Sequence, residues 1–351
     1  MERLYDEITD LARSRYTFLY LLTWEEDRAI RLLRRVGEKV SREVVVTHTG
    51  ASPEGVRGGG LSSLELLAWL QEQEQPMLFV LKDFHHDLGE PAVMRTLRNI
   101  QPELAEREQA ICVISPLLSL PRELEKDIRV VDIPLPDLAE VAKLLATLIK
   151  RQGIKIDVEL FEKFVKSSLG LTEAEIKRVY TRIALTGNGF SSEDLTLLIQ
   201  EKKAIIRKSE YLEFHDQTET MEEVGGLDQL KEWLANRSRA FTEKARKYGL
   251  PQPKGLFMVG VQGCGKSLTA KAVANLWRIP LLRMDVGGLL QASGSAEEKL
   301  GDTIKLAESL SPVVLWVDEI EKAFAGVETG AAEVAGATRA FGGFITWLQE
   351  K

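Results

Sequence analysis

The chain has 351 residues, a formal net charge of −7 at pH 7 and two cysteines. That length allows two domains with sizeable cores, and two cysteines exclude a fold that depends on disulfides. The acidic balance argues against general nucleic-acid binding through phosphate neutralisation. No apolar stretch reaches the roughly eighteen residues that span a bilayer, and the charged start has no apolar export core. We therefore expect a protein without a membrane segment that stays in the compartment where it is made.

The first part of the chain alternates apolar runs with helical patterns. The apolar runs predict strands at 16–23, 43–47, 77–82, 110–115 and 130–133. Strands that alternate with helices are typical of a parallel α/β sheet in three layers. A glycine-rich segment, 50–60, is predicted to be a mobile loop. Beyond Pro136 the pattern becomes helical as far as about residue 212.

This front region is similar to a phosphate-loop domain that has lost its loop. After the first strand, residues 23–28 read Thr-Trp-Glu-Glu-Asp-Arg. The three acids favour a helix start through the helix dipole, but they would repel a triphosphate. The strand 78–82 ends at Asp83 without a partner glutamate. We expect the front domain to bind no nucleotide and to serve as a scaffold or a partner-binding unit.

A complete phosphate-loop motif occurs later in the chain. Residues 260–267 read Gly-Val-Gln-Gly-Cys-Gly-Lys-Ser and fill every position of the pattern G-x-x-x-x-G-K-[ST]. The apolar run 256–259 predicts a buried strand before the loop, and 268–277 predicts the helix after it. Glycines let backbone N–H groups point at phosphate oxygens, and the helix N-terminus adds positive potential. Lys266 is predicted to reach the terminal phosphates and Ser267 to bind Mg²⁺.

A second element supports this interpretation. The apolar run 313–317 predicts a strand, and it ends in Asp318 and Glu319. In a phosphate-loop fold such a strand directs its acidic end at the bound Mg²⁺. Asp318 would hold the metal, and Glu319 would orient and polarise the attacking water. Alone, the run is also compatible with a core strand capped by two solvated acids. Together with the loop, it predicts a nucleoside triphosphatase site.

Cys264 lies inside the phosphate loop and has two interpretations. It is either a small residue that the loop tolerates or a thiol whose oxidation would block phosphate binding. The sequence alone leaves both open.

The order of these motifs resembles that of the AAA ATPases. Val224-Gly225-Gly226 before a helix, then the phosphate loop, then the acidic strand, follow the family's order and approximate spacing. The resemblance implies ATP and Mg²⁺ as ligands and an adenine pocket lined by Val224 and Gly226. It also implies a set of phosphate-loop residues that bind the nucleotide: Gly260, Gly263, Cys264, Gly265, Lys266, Ser267 and Leu268.

A narrower resemblance covers essentially the whole chain. Segments 225–228, 263–268, 318–324 and 346–351 are similar to uncharacterised AAA domain-containing proteins encoded by cyanobacteria and algal plastid genomes. This resemblance implies an α/β fold with three parts. They are a degenerate ATPase-like domain without a phosphate loop at 1–135, a helical lid at 136–212 and an AAA nucleotide-binding domain with a parallel sheet at 213–351. It also implies a location in the cytoplasm, or in the plastid stroma if the gene is plastid-encoded.

Two departures from the family pattern bear on activity. The segment 290–294, nearest to the family's pore loop, has no aromatic residue, so threading of unfolded protein is not supported. The sensor strand, arginine fingers and helical lid of an AAA module do not follow the acidic strand. We therefore expect an incomplete nucleotide-binding domain, from a truncated or interrupted reading frame or from a partial record. ATP turnover by such a chain is doubtful.

The functional hypothesis is an ATPase that couples ATP binding and hydrolysis to remodelling or regulation of a partner protein. In its intact form we expect a homo-oligomeric ring. The first alternative is an ATP-sensing binding module with little or no turnover that acts as a regulatory scaffold. The second alternative is a DNA-directed loader or recombinase, which the acidic composition disfavours.

Overall fold

The computed structural model describes most of the chain. The described residues are 1–51, 60–185, 190–207, 209–215, 219–238, 240, 245, 248–249, 254–261, 263–277, 279–291, 296–311, 313–318, 320 and 342–349. The mobile loop predicted at 50–60 and the predicted catalytic Glu319 therefore lie largely or wholly outside the described residues.

Helices and strands alternate in the first part of the described chain, and four successive helices follow. The helices are α1 (Glu2–Arg13), α2 (Glu26–Val40), α3 (Ser63–Gln71), α4 (Pro91–Glu106), α5 (Leu138–Gln152), α6 (Val158–Ser168), α7 (Glu173–Leu185), α8 (Leu195–Ile206), α9 (Asp228–Ser238), α10 (Lys266–Trp277), α11 (Val286–Gln291) and α12 (Ala296–Ser309). Residues 342–349 are also helical. The strands are β1 (Phe18–Leu22), β2 (Glu43–His48), β3 (Met77–Lys82), β4 (Ala110–Ser115), β5 (Arg129–Asp132), β6 (Leu212–His215), β7 (Leu281–Met284) and β8 (Val314–Val317). None of the helices in the described part of the chain is both long and apolar enough to cross a membrane.

The chain divides into two units. The first comprises Met1–Pro136 and the short segment Thr172–Ala174, and the second comprises Asp137–Leu171 and Glu175–Lys351. The first unit contains a five-stranded parallel sheet in the order β2-β3-β4-β1-β5. The five strands predicted from the apolar runs all form, and the expected α/β fold is confirmed.

Both faces of this sheet are covered, as the near-continuous apolar strands require. Successive residues of a strand point to opposite faces. Phe18 and Tyr20 of β1 belong to the core that includes α3 and α4, whereas Leu19 and Leu21 belong to the core that includes α1 and α2. The first unit is therefore a three-layer α/β sandwich.

A buried ion pair fills the position after β1, where a phosphate loop would lie. Arg28 Nη1 lies 2.7 Å from Glu25 Oε2, and both side chains are 5% exposed. The Glu25 carboxylate also accepts the backbone N–H of Glu173 at 2.5 Å. Arg28 donates to the carbonyl of Pro134. One of the acids that predict a helix start, Glu25, is therefore a buried carboxylate, and Arg28, one helical turn further along the chain, neutralises its charge.

The second unit begins with a helical region. Helices α5 to α8 enclose a core in which the rings of Phe164, Tyr180 and Phe190 meet edge to face, with centroid separations of 4.9–6.4 Å. Asp137 and Glu140 form a capping box at the start of α5. The helical pattern predicted after Pro136 is thus present over 138–206.

A three-stranded sheet follows in the order β6-β7-β8. Strands β7 and β8 are parallel, and β6 is antiparallel to β7. Buried apolar residues cover one face of this sheet, together with α12 and Phe344 of the helix at 342–349. The sequence predicted β8 but missed β6 and β7, whose runs of four residues gave too little periodicity to be recognised.

The prediction of a buried strand at 256–259 is wrong. These residues form no strand, and Leu256, Phe257 and Val259 are 41%, 77% and 83% exposed. Strand β8 is the last strand of its sheet, and no strand among the described residues pairs with 256–259. An apolar run becomes a buried strand only when neighbouring strands and helices cover it. The apolar pattern of 256–259 alone was therefore not sufficient to predict a strand.

We predict that Arg28→Met destabilises the first unit. The substitution leaves the Glu25 carboxylate buried without its positive partner, which costs about 3–5 kcal/mol. Hydrogen–deuterium exchange at the β1 and β4 amides measures the loss. Arg34→Met, at an exposed position on the same helix, is the control and should change exchange little. Equal exchange in the two variants would contradict the prediction.

We also predict a pH-dependent effect of Lys202 on α8, which is 9% exposed. Burial lowers the pKa of Lys202 from 10.5 to about 8. In the unfolded chain Lys202 keeps its proton up to a higher pH than in the folded protein. Lys202 therefore destabilises the folded protein below about pH 8, and this destabilisation decreases as the pH rises from about 8 to about 10.5. Lys202→Met should therefore stabilise the protein at pH 7 by up to about 3 kcal/mol and by much less at pH 10.

Urea unfolding at both pH values tests this effect of Lys202. Lys150→Met, at an exposed position on α5, is the control and should be close to neutral at both. A Lys202→Met variant no more stable than the parent chain at pH 7 would refute the assignment.

Candidate nucleotide-binding site

The loop that precedes α10 has the backbone of a phosphate cradle. Gly263 and Gly265 have φ angles of +84° and +89°, in the left-handed region that strains residues with a Cβ. Helix α10 begins directly afterwards, at Lys266. The first N–H groups of a helix have no intrahelical acceptor, and they carry the positive end of its dipole. The predicted helix and its position after the loop are present.

The Lys266 ammonium is folded onto the carbonyls of this loop. Its Nζ donates to the carbonyl oxygens of Gly260 at 2.8 Å and of Val261 at 2.9 Å. It also lies 3.9 Å from Cys264 Sγ. The positive charge is thus held inside the loop by neutral acceptors, which phosphate oxygens can replace with stronger, charge-assisted bonds.

The other predicted loop residues lie around this lysine. Ser267 and Cys264 are exposed, and Leu268 is half-buried. One turn into the helix, the Thr269 hydroxyl donates to the carbonyl of Gly265 at 2.9 Å, which fixes the junction of loop and helix. The Ser267 hydroxyl is therefore accessible at the first turn of α10.

The predicted adenine linker is attached to the same helix. Val224 is 4% exposed, and Gly226 has a φ of +64°. On one side of this linker Glu219 pairs with Lys271 of α10 at 2.7 Å. On the other side α9 packs against α10, where Trp277 Nε1 donates to the carbonyl of Leu234 at 3.3 Å. Contacts on both sides of Val224 and Gly226 thus tie the linker region to the helix that follows the loop.

Asp318 follows directly after β8, as predicted. Its side chain is 31% exposed, and its Oδ2 lies 3.8 Å from Nη2 of Arg283 on β7. Sequence reasoning missed Arg283. The signal was present, since Arg283 is the one charged residue in the apolar run 281–284. Glu319 lies outside the described residues.

The oxygen donors of the chain fit magnesium bound together with a polyphosphate. Mg²⁺ takes one or two protein oxygens and completes its shell with phosphates and water. The Ser267 hydroxyl and the Asp318 carboxylate are donors of that kind. Within the described segments, no group of three or more His, Cys, Asp or Glu side chains is arranged to hold a metal by itself. Such a site depends on the nucleotide for its remaining ligands.

Comparison with protein families assigns most of the chain. The model for the ATPase family associated with various cellular activities (AAA) matches residues 256–351. The models for the N-terminal domain and the second domain of SpoVK-like AAA ATPases match residues 4–133 and 138–209. These matches confirm the expected AAA-type α/β fold class with a preceding N-terminal domain.

Three algal proteins are similar to nearly the whole chain, and each is described as an uncharacterized AAA domain-containing protein ycf46. The protein of Pyropia yezoensis is 38% identical over 350 residues, covering 97% of this chain and 71% of that protein. The protein of Trieres chinensis is 36% identical and covers 99% of this chain and 71% of its own length. The protein of Guillardia theta is 36% identical, with 97% and 69% covered. The resemblance predicted from the sequence is confirmed, and the chain belongs to the ycf46 group of the AAA ATPase family.

Proposed function

We propose that the protein binds ATP with Mg²⁺ at the phosphate loop and couples ATP hydrolysis to remodelling or regulation of a partner protein. The observation that carries this proposal is the position of Lys266, whose ammonium is held by carbonyls of a loop that also contains two glycines in the left-handed conformation. A positive charge in a glycine loop at a helix N-terminus is the arrangement that binds a polyphosphate.

Each predicted residue has a role in this proposal. The backbone of Gly260 and of the run from Gly263 to Leu268 surrounds the phosphates, and Lys266 contacts the terminal ones. Ser267 and Asp318 would hold Mg²⁺, which neutralises phosphate charge when bound. Val224 and Gly226 would line the adenine.

Binding requires the lysine to exchange partners. Lys266 would leave the carbonyls of Gly260 and Val261 and donate to phosphate oxygens. This exchange is favourable because hydrogen bonds between two charged groups are stronger than bonds to neutral carbonyls. Glu319 would accept a hydrogen bond from the attacking water and take its proton.

We further infer three domains, with a degenerate ATPase-like domain at 1–135, a helical lid at 136–212 and the nucleotide-binding domain at 213–351. The buried pair of Glu25 and Arg28 supports one nucleotide site per chain, because its carboxylate lies where the front domain would otherwise accept a phosphate. By likeness to the ycf46 proteins, we place the protein in the cytoplasm or the plastid stroma. We infer a protein partner and a homo-oligomeric ring, and we do not infer a nucleic-acid partner.

A second candidate function is an ATP-sensing module with little turnover. The exposed apolar segment 256–259, directly before the phosphate loop, favours it. Nucleotide bound at the loop would contact the end of this segment, so ATP occupancy could change a surface that a partner recognises. The two candidates differ in whether hydrolysis occurs.

Lys266→Ala is expected to weaken ATP binding by about ten- to a hundredfold, the effect of losing a hydrogen bond to a charged group. Isothermal titration calorimetry with ATP and Mg²⁺ measures the affinity and should give one site per chain. Lys254→Ala removes an exposed lysine shortly before the loop and should leave the affinity unchanged. Equal affinity in all three proteins would overturn the proposed site.

Glu319→Gln is expected to bind ATP normally and to slow single-turnover hydrolysis by about 10²–10⁴-fold, because the amide cannot accept the proton of the attacking water. Asp302→Asn, at an exposed position on α12, is the control. If the parent chain and Glu319→Gln bind ATP but hydrolyse it equally slowly, the sensing function is the correct one.

A further inference from the structure

A row of polar and aromatic side chains crosses one face of the sheet β6-β7-β8. Glu213 on β6 is paired in register with Arg283 on β7, and Arg283 with Trp316 on β8. Side chains of residues paired in this way lie on the same face of a sheet. Two residues beyond Trp316 along the chain comes Asp318, the proposed metal ligand.

The opposite face of the sheet is apolar. It carries Phe214, Leu282 and Leu315, which belong to or pack against the core of this region. The charged groups of the row are therefore confined to one face, where His215 Nε2 also lies 3.4 Å from Glu213 Oε2.

Arg283 stands between two carboxylates. Its Nη1 lies 3.7 Å from Glu213 Oε2, and its Nη2 lies 3.8 Å from Asp318 Oδ2. Its guanidinium carbon is 5.3 Å from the centroid of the Trp316 ring. Its Nε is buried and has no hydrogen-bond partner among the residues that the structure describes. Both ion pairs are longer than hydrogen bonds, so the guanidinium is shared between the two acids by charge rather than fixed to one of them.

We propose that Arg283 is a positioning residue that restrains Asp318 until Mg²⁺–nucleotide binds, and that Glu213 is the alternative partner that receives Arg283 afterwards. This inference rests on the proposed function, because it assigns a metal ligand of that site a competitor within the chain.

The argument follows from charge. One guanidinium cannot fully neutralise two carboxylates, so Glu213 and Asp318 compete for it. A divalent cation at Asp318 is repelled by the nearby arginine, and that repulsion decreases if the guanidinium moves toward Glu213. Removing Arg283 should therefore favour metal binding at Asp318. Removing the charge of Glu213 should strengthen the pair between Arg283 and Asp318 and so weaken metal binding.

The experiment measures the Mg²⁺ concentration that gives half-maximal binding of a fluorescent ATP analogue to the full chain. Arg283→Met is expected to lower this concentration by about threefold or more, and Glu213→Gln to raise it by about as much, the effect of a partly exposed ion pair. The double variant should behave like Arg283→Met, because Glu213 acts through the arginine. Arg283→Lys keeps the charge and should stay near the parent value.

A matched control separates this role from general stabilisation. Arg237 lies 5.0 Å from the ring centroid of Trp233 on α9, in a similar contact outside the row, and Arg237→Met should not change the Mg²⁺ requirement. A second readout is the indole N–H resonance of Trp316, assigned by Trp316→Phe. It should shift on Mg²⁺–nucleotide binding in the parent chain and much less in Arg283→Met.

Each outcome either supports or overturns the proposed role of Arg283. If the parent chain binds the nucleotide but Arg283→Met and Glu213→Gln leave the Mg²⁺ requirement unchanged, or shift it in the opposite directions, this inference is wrong and the nucleotide site stands. If Arg283→Met does not fold, Glu213→Gln and Arg283→Lys carry the test, since the Glu213 side chain is 63% exposed. If the parent chain shows no Mg²⁺-dependent binding, the proposed function and this inference both fall.

Discussion

The charge of Lys266 is the constraint on which the arrangement of the nucleotide-binding region depends. An ammonium close to a helix N-terminus needs oxygen acceptors around it, and here the carbonyls of Gly260 and Val261 supply them. Those carbonyls can turn toward the lysine because the left-handed glycines 263 and 265 fold the loop back on itself. The lysine thus bonds to its own loop, and in the proposed function phosphate oxygens would take the place of these carbonyls.

In the front unit, the segment after the first strand carries a negative charge of its own instead of a lysine. After β1 an acid, Glu25, takes the place of a phosphate, and Arg28 neutralises it from within the same helix. A carboxylate covalently attached to the chain lies there permanently, so this end of the sheet requires no ligand for its charge balance. One unit thus carries a buried carboxylate in its own sequence, whereas we propose that the other binds the phosphates of a nucleotide.

Sequence reasoning predicted the elements whose signal is local. The five strands of the front sheet were predictable because they are long, apolar runs separated by helical patterns, and the phosphate loop because its glycines and lysine have fixed spacing. The run 256–259 failed because burial depends on neighbours that the run itself does not specify, and its side chains are largely exposed. Arg283 was missed because its role appears only when strand register brings it between Glu213 and Asp318. The pairing of strands distant in sequence is the information that periodicity does not contain.

That register also links Asp318, the proposed metal ligand, to the helical region of the same unit. Strand β6 follows closely after α8, and the Lys203 ammonium of α8 lies 4.6 Å from the centroid of the Phe214 ring on β6. Phe214 faces the core, while its neighbour Glu213 faces Arg283 on the other side of the sheet. A displacement of β6 relative to β7 would therefore change the distance between Glu213 and Arg283. It would also change the strength of the ion pair between Arg283 and Asp318. Among the described residues β6 pairs with β7 alone, so a displacement of β6 changes only that one strand pairing. If Arg283 has the role proposed for it, contacts made by α8 would affect Asp318 through this single arginine.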